Sequence, residues 1–151
     1  AVQEGLRPSA DTFTAVIVCL AKQKQTHPRT VERLIHTMID CGAEPTLASF
    51  RAVMQLCSRR CDGATARNLF EFVVAPGHVV PDAICFTGLV GACARAGDIS
   101  SAEHWLQEMC AAGVMPNAIT YTEMLHACAR SGDTQAAERG LESMRANGIQ
   151  P

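Results

Sequence analysis

Aromatic residues are scarce. They make up 5% of the 151 residues, with one Trp and one Tyr, too few for the aromatic-rich core of a β-sandwich or barrel. Charge is thin as well, at 19%, and no run of like charge exceeds two residues, which excludes a basic nucleic-acid-binding tail. Thirteen Lys and Arg against fifteen Asp and Glu leave a formal charge of −2. No long hydrophobic run occurs. Ala15–Ala21 is the longest, far short of the ~20 residues that cross a bilayer, so no membrane partner is expected. Cys-x-x-Cys is absent too, which removes zinc-ribbon and dithiol spacings although there are eight cysteines. Cys57 and Cys61 form the closest pair, and no second pair complements them. No charged-then-apolar leader opens the chain, so no targeting information is available from its start.

What the chain does have is apolar content, 48% of residues, which excludes disorder and builds a core without covalent staples. The cysteines therefore read as reduced, buried, small apolar side chains in a reducing compartment rather than as a disulfide framework.

It also has a period. Prolines fall at Pro8, Pro45, Pro81, Pro116 and Pro151, and glycines at Gly5, Gly42, Gly77, Gly113 and Gly148, all at intervals of 35 to 37 residues. Residues 83–117 and 118–151 agree at 16 of 34 aligned positions. The units are 10–46, 47–82, 83–117 and 118–151, with 1–9 as the tail of a preceding unit. The chain reads as an excerpt from a longer array.

Each unit predicts two helices. Tyr121, Met124, Leu125 and Cys128 follow the i, i+3, i+4, i+7 spacing of one buried helical face. The same slots hold Phe86, Leu89, Val90 and Cys93, then Phe50, Val53, Met54 and Cys57, and first of all Phe13, Val16, Ile17 and Leu20. Gly97-Asp98 and Gly132-Asp133 break the chain and supply an N-cap for a second helix. Its stripe is Ala102, Leu106 and Met109, repeated as Ala137, Leu141 and Met144, and Trp105 is expected in the core on the same helix. Gly113 and Gly148 fit a left-handed helix C-cap, with proline three residues later. Unit one carries two extra residues around 22–28. Unit two has Cys61-Asp62 in place of Gly-Asp and one extra residue between Gly77 and Pro81. One helical hairpin cannot bury its own apolar face, so the hairpins must stack. The expected fold is all-α, an α-α superhelix of about four 35-residue repeats.

A helical wheel with Tyr121 at zero puts Ile119 and Arg130 at about 160–180°, opposite the core, and Thr122 on the flank at about 100°. Three in-register ladders follow: Asp11, Ala48, Ile84, Ile119; Thr14, Arg51, Thr87, Thr122; and the basic Lys22, Arg59, Arg95, Arg130. The basic ladder fits either compensation of the helix dipole in the last turn or contact with a phosphate backbone. A fourth ladder, Ser9, Thr46, Asp82 and Asn117, consists of good N-cap residues.

The unit AITYTEMLHACARSGDTQAAERGLESMRANGIQP resembles the pentatricopeptide repeat, and the resemblance covers essentially the whole chain. Its marks are Tyr or Phe near the start, Ala-Cys-Ala-Arg-x-Gly-Asp at the turn, Ala and Met in helix two, and a closing Gly-x-x-Pro. The Trp-x-x-Leu-Gly-x-x-Tyr pattern of the tetratricopeptide repeat is absent from all four units. The resemblance implies a binder of single-stranded RNA that reads one base per repeat. The reader in that family is the residue one turn into helix one, together with the last residue of the unit. In this chain these are Thr14 with Thr46, Arg51 with Asp82, Thr87 with Asn117, and Thr122 with a residue past the end. Thr87 with Asn117 resembles the family's adenine-type pair. Ile84 and Ile119 would sandwich that base, and Lys22, Arg59, Arg95 and Arg130 would contact phosphate.

The resemblance further implies work in a mitochondrion or chloroplast, in RNA processing, stability, editing or translation, with no cofactor. A helical scaffold whose groove binds protein partners is the alternative class. His27, His36, His78, His104 and His126 share no repeat slot and form no His-x-x-x-His pair, so no metal site is expected. His126 falls near the outward face. No Ser/His/Asp order, phosphate loop or carboxylate pair suggests an enzyme or a small-molecule substrate, although a catalytic domain outside this segment would not be visible here.

Overall fold

The computed structural model describes residues 8–151, and residues 1–7, with Gly5 and most of the 1–9 tail, lie outside the described residues. The described chain forms eight helices and no strand. They are α1 (Ala10–Lys22), α2 (Pro28–Asp40), α3 (Leu47–Arg59), α4 (Gly63–Val74), α5 (Ala83–Arg95), α6 (Ile99–Ala111), α7 (Ala118–Ser131) and α8 (Thr134–Ala146). The unit starts read from the period, residues 10, 47, 83 and 118, are the first residues of the odd helices.

Local chemistry explains why the helices start where they do. Every one has a side-chain N-cap acceptor: Ser9, His27, Thr46, Asp62, Asp82, Asp98, Asn117 and Asp133. Each accepts from a backbone N–H in the first turn, satisfying one of the orphan donors there. Their ends are equally regular. Gly42, Gly77, Gly113 and Gly148 close the even helices at φ of 75–81°, and the next N–H returns to a carbonyl five residues back, as His78 does to Val73 and Ile149 to Met144. The odd helices α3, α5 and α7 end in the same motif. There Asp62, Asp98 and Asp133 close the old helix through their backbone N–H and cap the new one through their carboxylates.

The odd helices pack side by side, α1 on α3, α3 on α5 and α5 on α7, and each of α4 and α6 sits against two of them. Contact between even helices is mostly that of α2 with α4. The odd layer is thus the tighter one, and a stack tighter on one side curves toward it. The tightest junction is α3 on α5. A Cβ on Gly88 would lie 2.9 Å from the Met54 backbone, and one on Gly91 would lie 2.7 Å from Ser58 Oγ. Glycine lets the two backbones approach at this point.

Phe50, Phe86 and Tyr121 are buried in their shared slot, and Phe70 bridges Phe50, Phe86 and Trp105 at centroid distances of 5.1–5.6 Å. Trp105 is in the core as expected, although its indole Nε1 finds no acceptor. Two expectations need correction. Val16 is exposed and Leu20 half-buried, because among the described residues no helix packs on the far side of α1. The cysteines are not uniformly buried. Cys57, Cys85, Cys93 and Cys128 are, Cys41 is half-buried, and Cys19, Cys61 and Cys110 are exposed. The buried set holds the helix-one core slot plus Cys85, whereas the exposed set sits on outward faces and in a turn. Burial pushes the Cys57 and Cys85 thiols up to about 12 and Cys93 to about 11, so these three are unreactive near neutrality.

Among the described residues, Cys61 alone of the non-glycines has a positive φ, 54°, in the turn position where Gly97 and Gly132 stand in the later units. Cys61→Gly removes the steric cost of that conformation. It should raise stability by roughly 0.5–1 kcal/mol and the thermal midpoint by about 2–4 °C in a circular-dichroism melt. Gly88→Ala should do the reverse, with a loss of roughly 1–3 kcal/mol in urea titration, because the added methyl forces α3 and α5 apart.

Candidate nucleic-acid interface

Each odd helix begins at its cap, and the cap fixes the rotation of everything after it. Two residues beyond the cap come Asp11, Ala48, Ile84 and Ile119, all exposed. Ile84 is 42% and Ile119 62% exposed, unusual for isoleucine on a helix with a buried face. Four residues beyond stands the buried aromatic ring, and five beyond stand Thr14, Arg51, Thr87 and Thr122. The outward side of the odd layer therefore carries, from Ala48 onward, an apolar row beside a polar row.

On the outward side of α3, α5 and α7 lies an open cleft of about 480 Å³, lined by Gln55, Ser58 and Arg59 of α3 as well as by Ile84, Thr87, Arg95, Asn117, Ile119 and Glu123. Asn117 Oδ1 accepts from the Thr120 N–H (3.1 Å) and from Thr120 Oγ1 (3.2 Å). Thr87 Oγ1 lies 2.8 Å from Thr120 Oγ1, and either hydroxyl can be the donor of that bond. Two groups are left over at the cleft: Asn117 Nδ2, which can only donate, and the Thr87 hydroxyl, whose lone pairs can accept. One donor beside one acceptor complements an adenine Watson–Crick edge, with its N1 acceptor and N6 donor.

The same positions meet in the earlier units but spend their polar atoms on each other. Thr14 Oγ1 donates to the Ala10 carbonyl (2.7 Å) and lies 2.8 Å from Thr46 Oγ1. Arg51 forms an ion pair with Asp82, whose other oxygen caps α5 by accepting from the Cys85 N–H (3.1 Å). Burial raises the Asp82 carboxyl, but the Arg51 and Cys85 hydrogen bonds more than offset that, leaving it below its ordinary value. Thr122 donates to the Ala118 carbonyl (2.7 Å) and is exposed.

At two of its four rungs the basic ladder also reaches back to the preceding odd helix. Arg59 donates to the Ala21 carbonyl, and Arg95 Nη1 reaches the Ser58 carbonyl at 3.5 Å. Ala21 and Ser58 occupy one repeat slot, in the last turn of the preceding odd helix. These arginines therefore cap the neighbour's C-terminus while standing in the last turn of their own helices. Arg95 is additionally held by Glu123 of α7 through two parallel bonds, Nε to Oε2 at 2.8 Å and Nη2 to Oε1 at 2.6 Å. Those hydrogen bonds hold the Glu123 carboxyl below its ordinary value against the opposing effect of burial, with Arg95, His126 and Arg130 adding Coulombic support. Lys22 and Arg130 are exposed and make no ion pair among the described residues.

Sequence reasoning missed Thr120 and Glu123. Thr120 was invisible because the cap's own hydrogen-bond partner varies between Thr12, Ser49, Cys85 and Thr120 and leaves no periodic trace. A signal for Glu123 did exist, since its slot holds Ala15, Ala52 and Gly88 in the other units.

A family model for the PPR repeat family matches residues 81–130, and a second, for the PPR repeat, matches residues 119–149. Among solved structures the chain is similar to the pentatricopeptide repeat protein PPR10 from maize. The identity is 30% and the TM-score 0.75, covering 98% of this chain and 21% of that one. PPR10 in complex with an 18-nt psaJ RNA element superposes at a TM-score of 0.77 and 25% identity, over 99% of this chain and 22% of that one. The PPR domain of Arabidopsis thaliana protein-only RNase P 1 in complex with tRNA shares the fold at a TM-score of 0.76. Its identity is 16%, over 97% of this chain and 76% of that domain. The chain thus spans about a fifth of the length of PPR10.

The lowered Glu123 carboxyl has a consequence for acid stability. Its contribution is complete above the ordinary carboxyl range, about pH 4, and is lost as pH falls through the lowered folded-state value. Urea midpoints followed from pH 7 to pH 3 should therefore fall in acid. Glu123→Gln should flatten part of that fall, the remainder belonging to Asp82 and Asp98, both also lowered.

Proposed function

The chain belongs to the pentatricopeptide repeat family, and from that premise we propose that it binds single-stranded RNA along the outward side of its odd helices. The repeat units are 10–46, 47–82, 83–117 and 118–151, and the base facing the α5–α7 cleft is read by Thr87 and Asn117. Support comes from one observation above the rest: the Asn117 amide nitrogen, left over by the cap, stands beside the Thr87 hydroxyl, between two exposed isoleucines. Ile84 and Ile119 flank a flat base from above and below, which favours stacking without sequence choice. Only an unpaired strand exposes the edge that Thr87 and Asn117 meet. The RNA complex of a relative 25% identical to this chain is consistent with the same use of the fold.

The earlier units contribute differently under this reading. Thr14 with Thr46 retains an acceptor-rich pair, whereas Arg51 with Asp82 is a closed ion pair that a base must open before it is read. Thr122 supplies half of a reader for the next base. Lys22 and Arg130 are the exposed cations best placed to follow a phosphate backbone. Action on the transcripts of a mitochondrion or chloroplast, with no catalytic step in this segment, completes the proposal.

Asn117→Asp is the deciding substitution. Asp is an equally good N-cap, so one oxygen keeps the Thr120 N–H while the other turns an acceptor toward the base. Guanine carries a donor at N1 where adenine has an acceptor. The preference at that base should therefore move from adenine toward guanine, by roughly tenfold or more for one repaired and one broken hydrogen bond. Competition between RNAs differing only at the base facing the cleft measures it. An unchanged ratio with an intact circular-dichroism spectrum removes Asn117 from the reader and leaves it as a helix cap.

A further inference from the structure

Of the four cationic rungs, only Arg95 has a carboxylate held against it. The residue that would face each cation from the following odd helix is Ala52 for Lys22, Gly88 for Arg59 and Glu123 for Arg95. Glu123 takes both Nε and Nη2 of Arg95 in a bidentate pair. The third nitrogen, Nη1, is turned back to the Ser58 carbonyl. Three of its five N–H groups are thereby spent, and the Nε/Nη2 fork is filled. The pair nevertheless stands at the surface, with 32% and 23% of the two side chains exposed. It lies at the meeting of two clefts: the one containing Ile84, Thr87, Asn117 and Ile119, and a second lined by Cys61, Arg95, Glu123, His126, Ala129 and Arg130. A strand running from the first cleft to the second passes this pair.

We propose that Glu123 occupies, in the free protein, the edge of Arg95 that an RNA phosphate takes in the complex. Strand binding at this junction is then an exchange of one carboxylate for one phosphate. The proposal rests on the RNA-binding reading and deepens it. A phosphodiester offers the same two-oxygen fork as a carboxylate, so Arg95 can trade one for the other without moving its backbone. The displaced Glu123 turns toward His126 and Arg130, which already share its field. The exchange makes the junction self-screened. An anion that cannot also fill the neighbouring cleft gains nothing by displacing Glu123, whereas a strand seated between Ile84 and Ile119 does.

The test uses the chain as it stands, with a fluorescein-labelled single-stranded oligoadenylate and its oligouridylate counterpart, by fluorescence anisotropy at several salt concentrations. Glu123→Gln removes the competitor while keeping its size. It should bind both RNAs about three- to tenfold more tightly than the parent, because the phosphate meets Arg95 without first displacing a carboxylate. The specificity of the effect is read in a double-mutant cycle. In an Arg95→Ala background the Glu123→Gln gain should vanish, because no guanidinium remains to be released. A gain of the same size in that background would mean that Glu123 acts only through general repulsion, and the exchange would be wrong. Equal or weaker binding by Glu123→Gln in the parent background would overturn it as well. No binding of either RNA by the parent and Glu123→Gln together would instead sink the RNA-binding reading, and the exchange with it.

Discussion

The hydrogen bond from the first turn of each odd helix to its N-cap side chain sets the geometry of everything else. Because Ser9, Thr46, Asp82 and Asn117 each begin their helix at the same offset, the residues two, four, five and thirteen positions later point the same way in every unit. Those offsets are the exposed apolar row, the buried ring, the polar row and the cation. None of the insertions falls inside this stretch. The five-residue turn between α1 and α2 and the longer turn after Gly77 take them up. Polar pairs consequently form across different sequence separations, 32 residues for Thr14 with Thr46 and 31 for Arg51 with Asp82. A cap shift of a single residue would rotate its helix by about 100° and bury the wrong face.

The cap residues also carry a second burden. A side chain that holds a helix terminus has spent one acceptor, and only what remains is offered outward. Asp82 has its second oxygen on Arg51, so nothing is left over. Asn117 has an amide nitrogen left, because Thr120 takes the oxygen twice. The difference between a closed pair and an open one is thus decided by the cap, Asp or Asn, together with the residue that faces it from the preceding unit, Arg51 or Thr87.

Most of the architecture was legible in the residues. The 35-residue period, the apolar slots, the glycine turns and the aspartate caps all arise from interactions within one unit, at short and constant spacing, and such interactions leave a periodic trace. What escaped the reading crosses from one unit to the next. The close approach at Gly88 and Gly91 depends on Met54 and Ser58, more than 30 residues away. Arg59 and Arg95 look like dipole compensation on their own helices, and only the stacked neighbour reveals a carbonyl within reach. Glu123 stood out as the one acid in a slot of small residues, but its partner could be found only once α5 and α7 lay side by side. The cysteines misled for another reason: half of them are not buried, and composition alone carries no position.

Trp105 offers a consequence of a different sort. It is the only tryptophan in the chain, and it packs against Phe70 of α4 with its indole nitrogen unpartnered in the core. Its emission therefore reports the junction between the second and third hairpins, whereas far-ultraviolet dichroism weights all eight helices alike. In a linear array where each hairpin touches only its neighbours, fraying begins at the two ends. The dichroism signal of such an array decays while its interior fluorophore is still dry. The separation between the two transitions would give the length over which this solenoid melts as one piece.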